Sequence, residues 1–265
     1  MKNSVNSGLK YSSRNGSGYL PLVSPVNARL KVVEFGTVAL SRGKRLEIPC
    51  GRKEMCLLLL EGFCSAEVDG EKWMLGPRKD VFSDYPWALY LRNVPHVSVL
   101  ARSKTEAVVS SAPSSSRKPL LKLVPPQGVV ERSVGKDTYL RRVRTVIGED
   151  FPAEKLLLGE TLNEAGKWSS YPPHRHEKDV PPHEAKLEEV YYYRTEKPSG
   201  FGVQRIYTDD GRIDETYTVR QGDVCVLPRG YHPVSAAPCS KLYYFWVLAG
   251  KSRRMQWRVD PNFAQ

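Results

Sequence analysis

Short apolar runs separated by turn signals repeat along the chain from Leu30 onward. Up to Ser110 these runs are LKVVEFGTVAL, MCLLLLEG, CSAEVDGEKWML, WALYL and HVSVLA. Each run has the length of a strand, and apolar positions that alternate with polar ones are typical of a half-buried strand. Asp69 and Gly70 lie between two alternating segments and predict a two-residue hairpin turn, because such turns need the positive φ angles that glycine adopts easily.

A second series of runs begins after residue 128 and follows the same order. It comprises TYLRRVRTVI, KLLLGETL, EEVYYYR, FGVQRIYTDDGRIDETYTV, DVCVLPRG and LYYFWVLAG, with a second hairpin signal at Asp210-Gly211. The segment between the two series, SAPSSSRKPLLKLVPPQG, is rich in serine and proline, as inter-domain connections are. We therefore predict a polar N-terminal tail over 1–28, a β-barrel over 29–112, a linker over 113–128 and a second β-barrel over 129–265.

Composition supports this all-β prediction. The chain has 265 residues, 40% of them apolar, with 20 prolines, 20 glycines and 14 tyrosines. Its length allows one large core or two smaller ones. Many turn-forming residues beside few long helix-forming stretches favour barrels or sandwiches.

Charge and cysteine content narrow the class of partner. The formal charge is +11, but the basic residues are spread over short runs beside acids or aromatics, which argues against nucleic acid and favours an acidic small molecule. The five cysteines form no CxxC pair and are expected to be reduced. The chain has no apolar stretch long enough to span a membrane and no secretory signal, so we expect a soluble, cytoplasmic protein. The start of the tail fits either a disordered segment or a transit peptide.

Histidines in the second series indicate a metal site. On a strand, residues two apart project to the same face, so His174 and His176 would point into the barrel while Arg175 points away. Glu189 opens the run EVYYYR, where a carboxylate is costly to bury unless it is paired or binds a cation. Glu188 should face the opposite side, which makes Glu189 the preferred ligand.

His232 completes the predicted ligand set. The strand GDVCVLP ends at Pro228, and the chain then turns at Gly230 and returns His232 to the barrel. Three imidazoles and one carboxylate suit a borderline divalent metal and do not suit calcium or magnesium. Zinc is the first choice, with manganese, iron, cobalt or nickel as alternatives. His96 is alone in the first series, so we expect no metal in the N-terminal barrel.

These residues resemble the two motifs of cupin barrels, an HxH pair with a downstream Glu and a Gly-Pro turn followed by His. The segments WSSYPPHRHEKD, PPHEAKLEEVYYYR, GFGVQRIYTDDGRIDETYTV, GDVCVLPRGYHPV and LYYFWVLAG are similar, in this order, to the 5-deoxy-glucuronate isomerase family of bacterial myo-inositol degradation. The similarity is close from Thr138 to Asn262 and extends more loosely through MCLLLLEG, VFSDYPWALYL and SSAP in the first half. It implies two tandem cupin-type barrels, a bicupin.

The resemblance also implies a reaction and a cofactor. The family converts 5-deoxy-D-glucuronate to 5-dehydro-2-deoxy-D-gluconate, an aldose to ketose isomerisation, and holds a metal through residues that match His174, His176, Glu189 and His232. The metal would stabilise negative charge at the substrate carbonyl as a Lewis acid. The expected partner is a sugar acid, and a homo-oligomer is the expected assembly.

The residues that act on substrate are less clearly marked. Tyr191, Asp214 and Glu215 are candidates, beside metal-bound hydroxide, for the base that moves the proton. Arg205 and then Arg229 are candidates for binding the substrate carboxylate through a guanidinium. Alternative functions are the uronate isomerase of pectin breakdown, an iron-dependent cupin dioxygenase, and a non-enzymatic cupin that binds a sugar acid.

Overall fold

Strands make up nearly all of the regular structure, which confirms the all-β prediction. The computed structural model describes residues 8–13 and 17–264. The strands of the first half are β1 (Lys10–Ser12), β2 (Gly18–Val23), β3 (Glu34–Leu40), β4 (Arg45–Pro49), β5 (Lys53–Val68), β6 (Glu71–Arg78), β7 (Trp87–Arg92), β8 (His96–Ala101), β9 (Thr105–Pro113) and β10 (Leu120–Val124).

The second half also consists mainly of short strands. Its strands are β11 (Val130–Val134), β12 (Arg141–Ile147), β13 (Leu156–Asn163), β14 (Trp168–Ser169), β15 (His174–Arg175), β16 (Leu187–Thr195), β17 (Gly202–Tyr207), β18 (Asp214–Val219), β19 (Asp223–Leu227), β20 (Val234–Ala236), β21 (Leu242–Gly250) and β22 (Arg258–Val259). The helical elements of the described residues are short 3₁₀ turns at Pro126–Gly128, Asp137–Tyr139 and Pro261–Phe263. No helix among these residues has the length and apolar character that a bilayer crossing requires.

The first half is built around the long strand β5. Its first part pairs with β7 and β9, and its second part pairs with β6 and β8, so that one strand belongs to two layers. The larger layer has the order β10-β7-β5-β9-β3-β2. An apolar core that includes Leu57, Leu89 and Val99 lies between the layers. Asp69 and Gly70 form the predicted turn between β5 and β6, both with positive φ.

The second half also has a large and a small sheet. The large sheet has the order β1-β19-β16-β21-β13-β12-β11, and the small one has the order β14-β20-β17-β18. A second core, which includes Tyr191, Ile206 and Trp246, fills the space between them. The predicted metal ligands belong to this half.

The two large sheets pack against each other through a third apolar core. It joins Phe35 and Tyr90 of the first half to Tyr192 and Phe245 of the second. Alternate residues of each central strand therefore face the core of their own half or the core between the halves. This explains why runs such as LYYFWVLAG are apolar throughout, because strands covered on both faces lose the polar alternation.

Two carboxylates, buried Glu54 and half-buried Glu188, also join the two halves. The carboxylate of Glu54 accepts hydrogen bonds from the backbone N–H groups of Glu154, Lys155 and Leu156 at 2.8, 2.5 and 2.9 Å. In the opposite direction, Glu188 of the second half accepts from the N–H of Lys31 at 2.7 Å. Such bonds compensate for the desolvation of a buried charge.

The structure differs from the predicted domain limits at two segments. Part of the segment predicted as a polar tail, 1–28, forms β1 and β2, while residues 1–7 and 14–16 lie outside the described residues. Leu9 is fully buried in the core of the second half and attaches this segment to it, although the residues around Leu9 are mostly polar. Within the predicted linker, 113–128, β10 pairs with β7. The limits of the two barrels otherwise stay a prediction.

Candidate metal centre

Three of the four predicted metal ligands, His176, Glu189 and His232, have ligand atoms within 4.8 Å of one another in the core of the second half, and His174 lies beside them. His174 and His176 come from β15 and the residue after it, Glu189 from β16, and His232 from the segment after β19. Glu189 Oε2 lies 2.9 Å from His176 Nε2 and 3.3 Å from His232 Nε2. The ring of His232 is 4.9 Å from that of His174 and 5.1 Å from that of His176, measured between centroids.

Strand alternation directs these side chains inward. Glu189 projects toward the histidines, whereas the neighbouring Glu188 bonds to the backbone of the first half. Arg175 lies between the two histidines in sequence and faces the other way, where it stacks 5.3 Å from the ring centroid of Tyr231 and pairs with Asp209. The predicted choice between the two glutamates agrees with the positions of their side chains.

A tight turn returns His232 to the cluster. Gly230 has a φ of +92°, and a Cβ at this position would lie 2.5 Å from the carbonyl oxygen of Tyr207. A side chain would therefore clash with backbone and strain the turn. Glycine allows the chain to reverse closely enough for His232 to reach Glu189.

Backbone carbonyls orient all three imidazoles in the same manner. The Nδ1 atoms of His174, His176 and His232 lie 3.2, 2.8 and 3.0 Å from the carbonyl oxygens of Pro172, Leu187 and Gly230. A carbonyl only accepts, so in the neutral imidazole Nδ1 carries the hydrogen and Nε2 presents its lone pair. This arrangement of a ring nitrogen on a carbonyl is typical of metal-binding histidines.

Burial favours the neutral form of two of the histidines. It lowers the pKa of His174 and of His232 to about 3 in each case, and the neighbouring imidazoles add to the effect. Burial also lowers the pKa of His176, but the hydrogen bond and charge of Glu189 outweigh it, so that this pKa is raised. Neutral imidazoles are the form that binds a metal.

One buried atom of the cluster has no hydrogen-bond partner among the residues that the structure describes. His232 Nε2 is fully buried and forms no hydrogen bond, although Glu189 Oε2 lies 3.3 Å away. An unsatisfied buried nitrogen is costly unless a cation occupies the position that its lone pair faces. Three imidazoles and one carboxylate are a donor set for a borderline divalent metal, so the residues fit such an ion.

A cavity of about 150 Å³ opens beside this cluster. Tyr191 lies in its wall, with its hydroxyl 2.9 Å from Ser170 Oγ. Burial, and then the charge of Glu189, raise the pKa of Tyr191 well above its ordinary value, which keeps the phenol protonated. The other lining residues are Val134, Arg141, Val143, Thr161, His174, His176, Leu187, Glu189, Tyr244, Trp246, Leu248, Met255, Gln256 and Trp257.

The remaining candidates from the sequence lie elsewhere. Arg205 is on the outer face of β17, where its guanidinium binds Asp214 with nitrogen to oxygen distances of 2.9 and 3.2 Å. Glu215 is on β18, opposite Ile206, and does not line the cavity. Arg229 is bound to Asp210 at 3.0 Å. The structure therefore does not bring Arg205, Arg229, Asp214 or Glu215 to the cavity, because their side chains project from the hairpin or its adjoining turn.

Two further residues of the cavity, which the sequence did not predict, can contact a ligand. Arg141 begins β12 and shares its inward face with Val143, a relationship that the alternation in RRVRTVI already contained. Trp257 lies at the mouth, with its ring 5.5 Å from that of His174 and 47% of its surface exposed. Trp257 lies outside the regular strands, where no periodic signal marks it.

Known proteins share both the sequence and the fold. Residues 9–265 match the sequence model of the KduI/IolB family. A 5-deoxy-glucuronate isomerase of Geobacillus thermodenitrificans is 39% identical over 252 residues, which cover 94% of this chain and 92% of that protein. A 5-deoxy-glucuronate isomerase of Bacillus subtilis is 33% identical over 251 residues, which cover 93% of this chain and 92% of that protein.

Solved structures extend the comparison. The crystal structure of an IolB-like protein from Salmonella typhimurium has a TM-score of 0.92 and 32% identity, with 97% of this chain and 98% of that chain covered. An oxalate decarboxylase of Lactobacillus farciminis has a TM-score of 0.65 at 11% identity, with 97% of this chain and 90% of that chain covered. The second likeness concerns the fold alone, and it confirms the prediction of a cupin-type all-β fold.

Proposed function

The chain belongs to the KduI/IolB family, and on this premise we propose that it is a metal-dependent isomerase that converts 5-deoxy-D-glucuronate to 5-dehydro-2-deoxy-D-gluconate in myo-inositol degradation. The observation that carries the proposal is the group of His176, Glu189 and His232, whose ligand atoms lie within 4.8 Å of one another, with His174 beside His232 at a small cavity. The relatives named 5-deoxy-glucuronate isomerase, at 33 to 39% identity, support the choice of substrate.

The proposed metal ligands are His174, His176, Glu189 and His232. Zinc is the first choice, and manganese, iron, cobalt and nickel suit the same donor set. When bound, the ion would supply Lewis-acid stabilisation of the charge that develops on a substrate oxygen. The three Nδ1 to carbonyl bonds support this assignment, because they hold each Nε2 lone pair toward the centre.

The reaction moves one proton between neighbouring carbons. A hydrogen leaves the carbon that bears the hydroxyl group and a hydrogen is added to the aldehyde carbon, while the hydroxyl proton passes to the former aldehyde oxygen. We assign Tyr191 as the donor of a hydrogen bond, or of this proton, to a substrate oxygen. Its raised pKa makes it a donor and unsuited to act as the base. Asp214 and Glu215 are not assigned a role, since they lie away from the cavity.

Apolar side chains limit the water in the cavity. Leu187, Trp246, Leu248 and Met255 line it together with the polar groups. Exclusion of water strengthens electrostatic interactions and protects a reactive intermediate from side reactions. The small volume suits a monosaccharide derivative better than a polymer.

A proton NMR time course in deuterated water tests the proposal. Metal-loaded protein should convert 5-deoxy-glucuronate to the ketose, with deuterium entering the product. His174→Ala should abolish the conversion, whereas the control His96→Ala should retain it, because His96 is exposed in β8 of the first half. No conversion with any of the five metals would overturn the substrate assignment. Oxygen uptake in an iron-loaded sample would instead support a dioxygenase.

We also propose a cytoplasmic location and a homo-oligomer. All five cysteines are unpaired, and four of them are buried, which suits a reducing compartment. Exposed Trp168 and Phe263 lie on either side of Tyr171, and an exposed aromatic cluster of this kind is common at subunit interfaces. Light scattering coupled to size exclusion measures the assembly directly.

A further inference from the structure

One positively charged side chain faces the cavity of the metal centre. Arg141 is the first residue of β12, and it lines the cavity together with His174 and Tyr191. Among the lining residues that the structure describes, it is the one arginine or lysine. The cavity wall therefore combines a carboxylate, two imidazoles and one guanidinium.

Among the residues that the structure describes, no carboxylate pairs with this guanidinium. Arg141 Nη1 donates to the carbonyl oxygens of Tyr139 and Tyr171 at 3.2 and 3.0 Å, and the side chain is half-buried. Arg205 and Arg229, in contrast, are each bound to an aspartate at the surface. Within residues 8–13 and 17–264, Arg141 forms no ion pair and no further hydrogen bond, which leaves its Nε and Nη2 for an acceptor from outside.

The backbone leaves space for the guanidinium. A Cβ on Gly135 would lie 2.8 Å from Arg141 Nη1 and 2.3 Å from the carbonyl oxygen of Tyr139. The two carbonyl bonds hold Nη1 in place, so the side chain is oriented before any ligand arrives. A preoriented guanidinium without a counter-ion, at the wall of a cavity, is a site for an anion, and its planar fork matches a carboxylate.

We propose that Arg141 binds the carboxylate of the sugar acid, while the opposite end of the same molecule lies at the histidine cluster. The inference rests on the proposed function, whose substrate carries its carboxylate and its aldehyde at opposite ends of the carbon chain. Arg141 thereby selects acids over neutral sugars and fixes which end reaches Glu189 and the histidines. Arg141 is therefore the specificity-determining residue, in the role that the sequence predicted for Arg205.

Binding and turnover should be measured separately. The binding probe is the alcohol obtained by reducing the substrate aldehyde, which keeps the carboxylate and cannot isomerise, and its methyl ester serves as the neutral counterpart. Calorimetry on metal-loaded wild type should show that the acid binds more tightly than the ester. Arg141→Met should weaken binding of the acid by roughly 10- to 100-fold and leave the ester unchanged, as expected for loss of a charged hydrogen bond. Arg141→Lys should recover part of the difference.

Two controls separate this role from a structural one. Arg205→Met removes an arginine outside the cavity and should leave the affinity for both probes as in wild type. Metal content and thermal unfolding of Arg141→Met should match wild type. A loss for acid and ester alike would mean that Arg141 only holds the Tyr139 and Tyr171 segments, which would overturn the proposal.

Failure of the proposed function gives a different result. If the protein does not isomerise 5-deoxy-glucuronate but binds the reduced acid in an Arg141-dependent manner, the carboxylate site stands and the reaction is wrong. If the protein isomerises the substrate and Arg141→Met retains the wild-type KM and acid affinity, the reaction stands and the role of Arg141 is wrong.

Discussion

Arg78 and Glu160 form a bidentate ion pair that is fully buried between the two halves. Nη1 and Nη2 of Arg78 donate to the two carboxylate oxygens of Glu160 at 2.8 and 2.9 Å, and neither side chain is exposed. Tyr243 donates a third hydrogen bond to the same carboxylate at 2.8 Å. Arg144 Nη1 also lies 3.6 Å from Glu160 Oε2, so this carboxylate faces two buried guanidinium groups. The cost of desolvation is offset only while the partners are present.

Removal of one partner should therefore destabilise the protein strongly. We expect Glu160→Gln to lower the free energy of unfolding by about 3 to 5 kcal/mol, because it leaves the Arg78 charge buried and unpaired. The double variant Arg78→Met, Glu160→Leu should lie closer to wild type. Urea denaturation gives these values, with Asp214→Asn, at an exposed ion pair, as the control that should hardly change them. An equal loss in the single and double variants would contradict the explanation.

Adjacent glutamates should have different roles. Glu189→Gln removes a charged donor from the proposed metal centre, so we expect bound zinc to fall below the detection level of elemental analysis after dialysis. Glu188→Gln should keep the metal and lower the unfolding temperature, because Glu188 bonds the backbone of Lys31 and Val32. Equal metal content in both variants would contradict the assignment of Glu189.

Tyr191→Phe should reduce kcat while the metal content stays unchanged. A proton donor in the transition state contributes roughly 10²- to 10⁴-fold to the rate, so a decrease of this order is expected. Glu215→Gln is the matched control, since Glu215 does not line the cavity and should retain wild-type kcat. Steady-state kinetics on the two variants measure the contrast, and a fully active Tyr191→Phe would exclude the phenol as donor.

Acid should destabilise the metal-free protein through its buried histidines. His174 and His232 have a pKa of about 3 in the folded protein and an ordinary value of 6.5, so between these limits the unfolded chain binds more protons. The free energy of unfolding should have its full value above pH 6.5 and should fall as the pH decreases toward about 3. The decrease is at most about 1.4 kcal/mol per pH unit for each histidine. His176 has a raised pKa and acts in the opposite direction.

Urea titrations of metal-free protein at a series of pH values measure this slope. The variant His174→Gln should show a shallower dependence than wild type, because one buried group that resists protonation is gone. Carboxylates contribute equally to both proteins and cancel in the comparison. The same slope in both would mean that His174 is not held in its neutral form.

Most residues of the candidate metal centre could be predicted from the sequence, because strand geometry is regular. A period of two places His174 and His176 on one face and separates Glu189 from Glu188, so the pattern alone assigned their directions. The turn at Gly230 explains how a distant third histidine joins them. These features depend on local backbone geometry, which the sequence determines directly.

The substrate residues were less predictable because they depend on which strands are neighbours. Arg205 was chosen because a charge inside a strand suggested a function, yet the alternation of buried Gln204 and Ile206 places Arg205 outward, where Asp214 of the paired strand binds it. Arg141 is at an inward-facing position, but it belongs to the arginine-rich run RRVRTVI, and such a run is typical of a solvated surface. Register between β17 and β18 decides the first case, and sequence alone does not contain that register.

Strand β1 has a consequence for how the protein is made. Residues Lys10–Ser12 are synthesised more than 200 residues before their partner strand, Asp223–Leu227. Domains commonly fold in the order of their synthesis, N-terminal first. Here β1 cannot pair with β19 until the whole first half and most of the second have been synthesised. A gene cut between the two halves would therefore separate the second half from one of its own strands.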